Sequence, residues 1–280
     1  MCRRASHDAA IAGLEALRAA VVGPPLPGGA RRSYTKRMAI DARDRLILAL
    51  DFPNDPNAPD RLMEPVDAFR LIDAVGPDLR VVKVGWPLYL SGGTPLVREL
   101  VARGLAVFLD LKFGDIAETV RRLVEVAVRE RVAMLTLNGD FAAVRAAAQA
   151  RGANPLTILT VTLLTSLTEQ DLRDMGIGLS VEDYVLHRAR GALAAGSTGV
   201  IASGREAAML RQALGREFTI VMPGIRPSGS AADDQRRTVT PAEAIAAGAD
   251  YLVVGRPICK APSPRDATRA ILDEMQRAFG

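Results

Sequence analysis

Cysteine and histidine are both scarce in this chain of 280 residues, which contains two of each. Cys2 and Cys259 lie near opposite ends of the sequence, so no disulfide framework is expected and a reducing cytoplasm is the predicted compartment. Two histidines are too few for a cysteine–histidine zinc cluster. A serine–histidine–aspartate triad would have to use His187, which lies in a predicted, mostly exposed helix and is interpreted as structural. Catalysis must therefore depend on Asp, Glu, Lys and Arg.

Long apolar runs are also missing. A membrane-spanning helix requires about 18 or more consecutive apolar residues. The longest runs here, such as Leu46–Leu50 and Tyr251–Val254, have the length of buried strands. Because 49% of the residues are hydrophobic, the chain can still bury one large core. We therefore expect a soluble globular protein without a membrane partner.

The net charge of +4 is distributed unevenly along the chain. Residues 1–37 contain seven Lys and Arg side chains against Asp8 and Glu15, which leaves the remainder near neutral and argues against a nucleic-acid-binding surface. A Pro- and Gly-rich stretch, 23–29, interrupts this segment. We interpret residues 1–37 as an extension that is disordered or not translated, with Met38 as the functional start. A faint similarity to a transit peptide is the alternative. Residues 38–280 are predicted to form one catalytic domain.

Short runs rich in Val, Ile and Leu alternate with amphipathic stretches from Arg45 onward. The predicted strands are Leu46–Asp51, Arg80–Gly85, Ala106–Leu111, Ala133–Asn138, Thr157–Thr162, Gly199–Ser203, Phe218–Pro223 and Tyr251–Gly255. Predicted helices between and after them include Pro65–Val75, Pro95–Arg103, Ile116–Arg129 and Pro264–Ala278. Eight such units in one domain predict an α/β protein, a (β/α)8 TIM barrel. A doubly wound open sheet is disfavoured, since no glycine-rich dinucleotide turn follows the first strand.

Polar residues stand where these strands end, and catalytic groups of such barrels lie at that edge. They are Asp51, Lys83, Asp110 with Lys112, Asn138, Thr165 with Ser166, Ser203, Arg226, and Gly255 with Arg256. Charges are costly at the mouth of an apolar core unless they are paired or used in function. Their position indicates an enzyme.

The central motif is Asp110-Leu-Lys-Phe-Gly-Asp115. Asp110 and Lys112 are two positions apart on a strand and should point into the barrel, with Asp115 at the following turn. Lys83, at the end of the preceding strand, should join them in an alternating row of two lysines and two aspartates. A purely structural ion-pair network at the barrel rim is the alternative interpretation.

A phosphate site is predicted at the last two strands. Gly255 permits close approach of an anion to the backbone, and Arg256 adds a bidentate cation. In barrels, loops after the seventh and eighth strands commonly bind phosphate. The long polar loop 226–237 after the seventh strand is predicted to act as a lid.

From Arg45 to the end, the chain resembles the orotidine 5'-phosphate decarboxylase family in its bacterial form. The resemblance rests on the D-x-K-x-x-D motif together with other segments, found in the family's order and on the expected strands. These segments are 48–53, 82–85, 110–116, 161–166, 223–227, 234–237 and 254–257.

The resemblance implies roles for individual residues in a cofactor-free decarboxylation that yields UMP in pyrimidine biosynthesis. Lys112 would protonate C6 of the pyrimidine ring beside Asp110, and Lys83 and Asp115 would hold this pair in position. The implied substrate contacts are Asp51 and Lys83 to ribose, Thr119 to ribose or the catalytic lysine, Thr165 and Ser166 near the base, Ile116 as an apolar wall, and Arg226, Gln235, Gly255 and Arg256 to phosphate.

The resemblance also implies a homodimer in which Asp115 and Thr119 reach the neighbouring subunit's site. Two positions depart from the family pattern. Glu118 would repel the implied anionic substrate and is therefore expected to point outward or pair with an arginine. Asn138 stands where the family usually has a histidine. Neither position changes the Asp-Lys-Asp motif.

Three other functions compete with this one. A sugar-phosphate decarboxylase or aldolase of the same superfamily would use Mg²⁺ and a carboxylate where this chain has Lys83, and a lysine there would repel the metal. A catalytically silent phosphate-binding barrel has no need for an intact Asp-Lys-Asp row. Nucleic-acid binding through residues 1–37 would give salt-dependent affinity.

Overall fold

The computed structural model describes residues 41–55, 57, 61–227 and 238–280. In this part of the chain eight parallel strands pair in sequence order, and the eighth pairs with the first, so the sheet closes into a barrel. The strands are β1 Leu46–Ala49, β2 Val81–Gly85, β3 Ala106–Phe113, β4 Met134–Leu137, β5 Thr157–Val161, β6 Gly199–Ile201, β7 Thr219–Met222 and β8 Tyr251–Val254. The predicted (β/α)8 barrel is confirmed.

Helices follow the strands and cover the outside of the barrel. They are α1 Pro65–Val75, α2 Trp86–Ala102, α3 Ala117–Arg129, α4 Phe141–Arg151, α5 Glu169–Asp174, α6 Val181–Ala194, α7 Gly204–Leu214, α8 Pro241–Ala246, α9 Arg256–Cys259 and α10 Pro264–Phe279. Their apolar residues recur at helical spacing, as in α3, which buries Val120, Val124 and Ala127. No helix within the described ranges is both long enough and apolar enough to cross a membrane.

The barrel encloses its own apolar cluster, separate from the larger one between sheet and helices. Its buried members are Ile47, Ala49, Val81, Phe108, Met134, Leu159, Val221 and Val253. Because side chains alternate along a strand, residues two positions further on also face inward. Val81 is followed in this way by Lys83, Phe108 by Asp110, and Met134 by Thr136. The inward rows therefore change from apolar to polar as the strands approach their carboxyl ends.

The structure corrects one predicted helix boundary. The helix expected at Pro95–Arg103 begins at Trp86, directly after β2, and its backbone breaks at Gly93, where φ is +57°. Glycine adopts this conformation without steric cost, and Pro95 then starts the second segment. Strand ends differ from prediction by one or two residues, and β3 extends to Phe113. The extension 1–37 lies outside the described residues, so its boundary stays a prediction.

Candidate active site

Four charged side chains alternate in sign at the mouth of the barrel. The Lys83 ammonium lies 2.9 Å and 3.0 Å from the two Asp51 oxygens and 3.6 Å from Asp110 Oδ2. Asp110 Oδ1 in turn accepts a hydrogen bond from Lys112 Nζ at 2.9 Å. Register explains the arrangement, since Lys83 is paired with Ala49 on β1 and Gly85 with Asp110 on β3. The order along the row is Asp51, Lys83, Asp110, Lys112.

The electrostatics of the row keep its inner members charged. Burial by itself would lower the pKa of Lys83, but the carboxylates of Asp51 and Asp110 outweigh it and the pKa is raised. Burial would likewise raise the pKa of Asp110, but Lys83 and Lys112 outweigh it and the pKa is lowered. At neutral pH Lys83 is therefore an ammonium and Asp110 a carboxylate, each stabilised by the other.

Asp115 does not occupy the place predicted for it within this chain. The second carboxylate of the row is Asp51, whereas Asp115 is exposed and its Oδ1 accepts a hydrogen bond from the backbone N–H of Ile116 at 2.7 Å. Within the described residues Asp115 forms no ion pair with Lys83 or Lys112. The predicted intrachain row of Lys83, Lys112, Asp110 and Asp115 was wrong in this one member.

The residues that follow Asp115 at the start of α3 are partly or largely exposed. Ile116 is 72% exposed, and Thr119 is half-buried in the first turn of the helix. Glu118 accepts hydrogen bonds from Arg121 and Arg122 at 2.8 Å, and these guanidinium groups lower its pKa to about 2. The expected pairing of Glu118 with arginine is confirmed.

A cavity of about 150 Å³ opens beside the row. Its wall combines the charged groups with apolar side chains from β3, β5, β6 and β8 and from the segments that follow β5 and β7. The lining residues are Lys83, Phe108, Asp110, Lys112, Val161, Leu163, Leu164, Thr165, Ile201, Pro223 and Val253. Thr165 is part of this wall, whereas Ser166, the next residue in the same loop, is exposed and is not part of it.

Three of the four predicted phosphate residues, Arg226, Gly255 and Arg256, follow the neighbouring strands β7 and β8. Gly255 precedes the short helix α9, and the Arg256 guanidinium lies 5.5 Å from the centre of the Phe52 ring, close to the end of β1. The Arg226 backbone N–H donates to the Val239 carbonyl at 2.9 Å, which ties together the two ends of the predicted lid. Gln235 and the rest of segment 228–237 lie outside the described residues.

Two side chains that sequence analysis did not single out contact the row or its backbone. Thr136 Oγ1 accepts from the Lys112 backbone N–H at 2.8 Å and donates to Asp110 Oδ1 at 3.1 Å. The Trp86 indole N–H donates to the Leu111 carbonyl at 2.7 Å. A lone threonine in the apolar strand Met134–Leu137 was the only available signal for Thr136. Nothing in the sequence marked Trp86.

His187 and Cys259, which the sequence analysis also considered, have structural roles. His187 is exposed on α6 and its ring lies against Phe141, with 5.9 Å between ring centroids, as expected for a structural histidine. Cys259 is fully buried and its thiol donates to the Ala49 carbonyl at 3.3 Å. Burial, together with the Asp51 charge, raises the pKa of this thiol to about 12, so it is not a nucleophile.

The lowered pKa of Asp110 predicts how stability depends on pH. Asp110→Asn should reduce the free energy of unfolding at pH 7 by about 1–3 kcal/mol, because two ammonium groups lose a charged acceptor. A depressed carboxyl pKa contributes its stability above the unfolded value, 3.8, and loses it as the pH falls through the lower folded value. Urea unfolding measured from pH 7 to pH 3 should therefore show that the free energies of unfolding of the wild type and Asp110→Asn converge below about pH 4.

The control for this comparison is Asp273→Asn, at an exposed position on α10, which should track the wild type at every pH. A constant difference between wild type and Asp110→Asn across the whole range would contradict the depressed pKa.

The chain is similar to known proteins over most of its length. The sequence model of the orotidine 5'-phosphate decarboxylase / HUMPS family matches residues 44–271. Orotidine 5'-phosphate decarboxylase of Nitrobacter winogradskyi is 47% identical over 238 residues, which cover 85% of this chain and 95% of that protein. Orotidine 5'-phosphate decarboxylase of Rhodopseudomonas palustris is 45% identical over 241 residues, which cover 86% of this chain and 98% of that protein. The crystal structure of orotidine 5'-phosphate decarboxylase from Lactobacillus acidophilus superposes with a TM-score of 0.71 at 30% identity, over 82% of this chain and 98% of that one. This chain belongs to the orotidine 5'-phosphate decarboxylase / HUMPS family.

Proposed function

We propose that this enzyme decarboxylates orotidine 5'-phosphate to UMP and CO₂, the last step of de novo pyrimidine biosynthesis, without a cofactor. The observation that carries the proposal is the alternating row Asp51, Lys83, Asp110, Lys112 at the edge of a cavity with apolar walls. The reaction breaks the bond between C6 and the carboxylate carbon and leaves the electron pair on C6. It therefore needs a cation and a proton at that atom, and it needs little else.

Lys112 is the lysine suited to supply both. Lys83 is buried between two carboxylates that raise its pKa, which makes it a poor acid. Lys112 has Asp110 as its one carboxylate partner within hydrogen-bond distance in the described part of the chain, and it borders the cavity. Its ammonium stabilises the charge that develops at C6 and then donates the proton, becoming a neutral amine that solvent reprotonates.

The other members of the row hold this donor in place and contact the sugar. Asp110 lies beside the substrate carboxylate and fixes the Lys112 ammonium, and Lys83 keeps Asp110 ionised. Asp51, which is partly exposed at the rim, is an acceptor for ribose hydroxyls, with Lys83 as a neighbouring donor. Thr165 and Ser166 lie near the base in this proposal, and Thr165 is supported by its place on the cavity wall.

Phosphate binding is assigned to Arg226, Gln235, Gly255 and Arg256. The position of three of them on the adjacent ends of β7 and β8 supports the assignment. Because the phosphate is remote from the bond that breaks, its binding energy is available to close the lid and order the site.

The Mg²⁺-dependent sugar-phosphate chemistry known for relatives in this barrel superfamily fits the site less well. A divalent cation needs free carboxylate oxygens, and here the Lys83 ammonium occupies the space between Asp51 and Asp110. Retained activity on orotidine 5'-phosphate in the presence of EDTA distinguishes the two.

We also propose a homodimer that places Asp115, with Thr119, at the neighbouring subunit's site. Large apolar side chains are exposed on this side of the barrel, with Trp86 at 46%, Leu90 at 77% and Ile116 at 72%. An apolar hollow of about 130 Å³ between α2 and α3 is bordered by Trp86 and by Val126. Exposed apolar groups of this size are characteristic of protein–protein contacts. A partner would cover them and give the Asp115 carboxylate a lysine to contact.

The cytoplasmic location and the absence of nucleic-acid binding stay predictions.

The assigned proton donor is tested by Lys112→Ala and Lys112→Arg. Both should lower kcat by at least about 100-fold, since alanine removes the acid and arginine is too weak an acid to replace it. The loss of substrate absorbance on incubation with orotidine 5'-phosphate and EDTA measures turnover, and titration with UMP measures binding. UMP affinity should remain measurable in both variants.

Arg173→Ala on the exposed face of α5 is the control and should leave turnover unchanged. Turnover by Lys112→Ala comparable with wild type would contradict the assignment. An inactive wild type would contradict the proposed substrate.

The intersubunit role of Asp115 is tested by mixing two inactive variants. Asp115→Ala and Lys112→Ala homodimers should each be nearly inactive. A heterodimer of the two retains one site with both residues intact, so random reassociation should restore about a quarter of wild-type activity.

Mixing Lys112→Ala with Asp110→Ala is the matched control, because these two residues serve the same chain's site and no intact site can form. Absence of recovery in the first mixture, or a monomer in sedimentation, would contradict the proposed dimer site.

A further inference from the structure

The peptide unit that joins Leu111 to Lys112 does not take part in regular strand pairing. Leu109 pairs with Leu135 and Phe113 pairs with Leu137, so four steps along β3 correspond to two along β4. Two extra residues of β3 are accommodated between these pairs. Lys112 lies in this bulge with φ at +48°, a left-handed conformation that is unfavourable for a residue with a side chain.

Side chains replace the missing strand partners of this peptide on both sides. The Lys112 N–H donates to Thr136 Oγ1 on β4 at 2.8 Å, and the Leu111 carbonyl accepts from the Trp86 indole at the start of α2 at 2.7 Å. The two bonds hold the peptide plane from opposite sides. Such external support is what keeps a residue in a sparsely populated backbone conformation.

The hydroxyl of Thr136 has a second bond that reaches the charged row directly. It donates to Asp110 Oδ1 at 3.1 Å, the same oxygen that accepts from the Lys112 ammonium. Thr136 is fully buried, so this geometry does not depend on solvent. One hydroxyl therefore fixes both the backbone of Lys112 and the carboxylate that orients its side chain.

We infer that Thr136 is a positioning residue for the decarboxylation, acting through Lys112 and Asp110 without contacting the substrate. The expected effect of Thr136 on turnover rests on the proposed function. Its structural part, that the hydroxyl maintains the left-handed backbone at Lys112, is independent of the substrate. Valine at this position would fill nearly the same volume but would leave the Lys112 N–H unpaired and remove a donor to Asp110.

The experiment compares Thr136→Val, Thr136→Ser and Thr160→Val. Serine retains the hydroxyl and is the rescuing variant. Thr160 is the matched control because it is a fully buried threonine on the adjacent strand β5 whose hydroxyl donates to Ser197, remote from the row. For each protein we measure kcat and KM with orotidine 5'-phosphate, the affinity for UMP, the melting temperature, and the φ angle of residue 112 in a crystal structure.

Thr136→Val should lower kcat by about 100-fold, the order of loss produced by a displacement of about 1 Å in a catalytic group. Its KM and UMP affinity should change less than about threefold, because the groups that bind the nucleotide stay in place. Thr136→Ser should recover most of kcat. Thr160→Val should reduce the melting temperature by a similar amount but leave kcat unchanged.

Three results would overturn the inference. They are a Thr136→Val enzyme with wild-type kcat, a loss of kcat that serine does not rescue, and an equal loss in Thr160→Val. If the wild type itself fails to act on orotidine 5'-phosphate, the proposed function fails. The φ angle of Lys112 then decides the structural part alone, which is contradicted if residue 112 stays left-handed in Thr136→Val.

Discussion

The site depends on one buried ammonium placed between two carboxylates. Lys83 lies within 3.0 Å of both Asp51 oxygens and 3.6 Å from Asp110 at the top of an otherwise apolar barrel interior. Lys83 or Asp110 alone would be costly to bury, and each keeps the other charged at neutral pH. This ion-pair arrangement keeps Asp110 ionised, and an ionised Asp110 is what directs the Lys112 ammonium toward the cavity.

The barrel produces this arrangement through the register of its strands and the alternation of side chains along them. Beyond Leu109, strand β3 departs from both. Regular pairing places Lys83 and Asp110 on the same inward rows as Val81 and Phe108. Beyond Leu109 the strand bulges, Lys112 takes a left-handed backbone, and Thr136 and Trp86 replace the lost strand contacts. The proposed proton donor thus lies in this bulge with a left-handed backbone, and residues with strained backbone cluster at the active sites of enzymes.

Sequence analysis predicted the fold and most of the row because these follow from local pattern. Continuous apolar strands alternating with amphipathic helices specify the barrel, and strand ends specify which polar residues meet. It placed Asp115 incorrectly within the chain, since the turn after a bulge cannot be derived from a two-residue period. It also missed Thr136 and Trp86, whose roles come from hydrogen bonds to backbone atoms. Such bonds depend on three-dimensional register, and residue type alone does not reveal them.

The most direct test of the account is a crystal structure of the wild-type enzyme with UMP bound, in which the distance from Lys112 Nζ to C6 is measured. The account predicts about 3–3.5 Å, the separation of reacting atoms in a productive complex, with Asp110 still bonded to the same ammonium. A bound nucleotide whose C6 faces Lys83, or a Lys112 side chain directed into solvent away from the base, would contradict it.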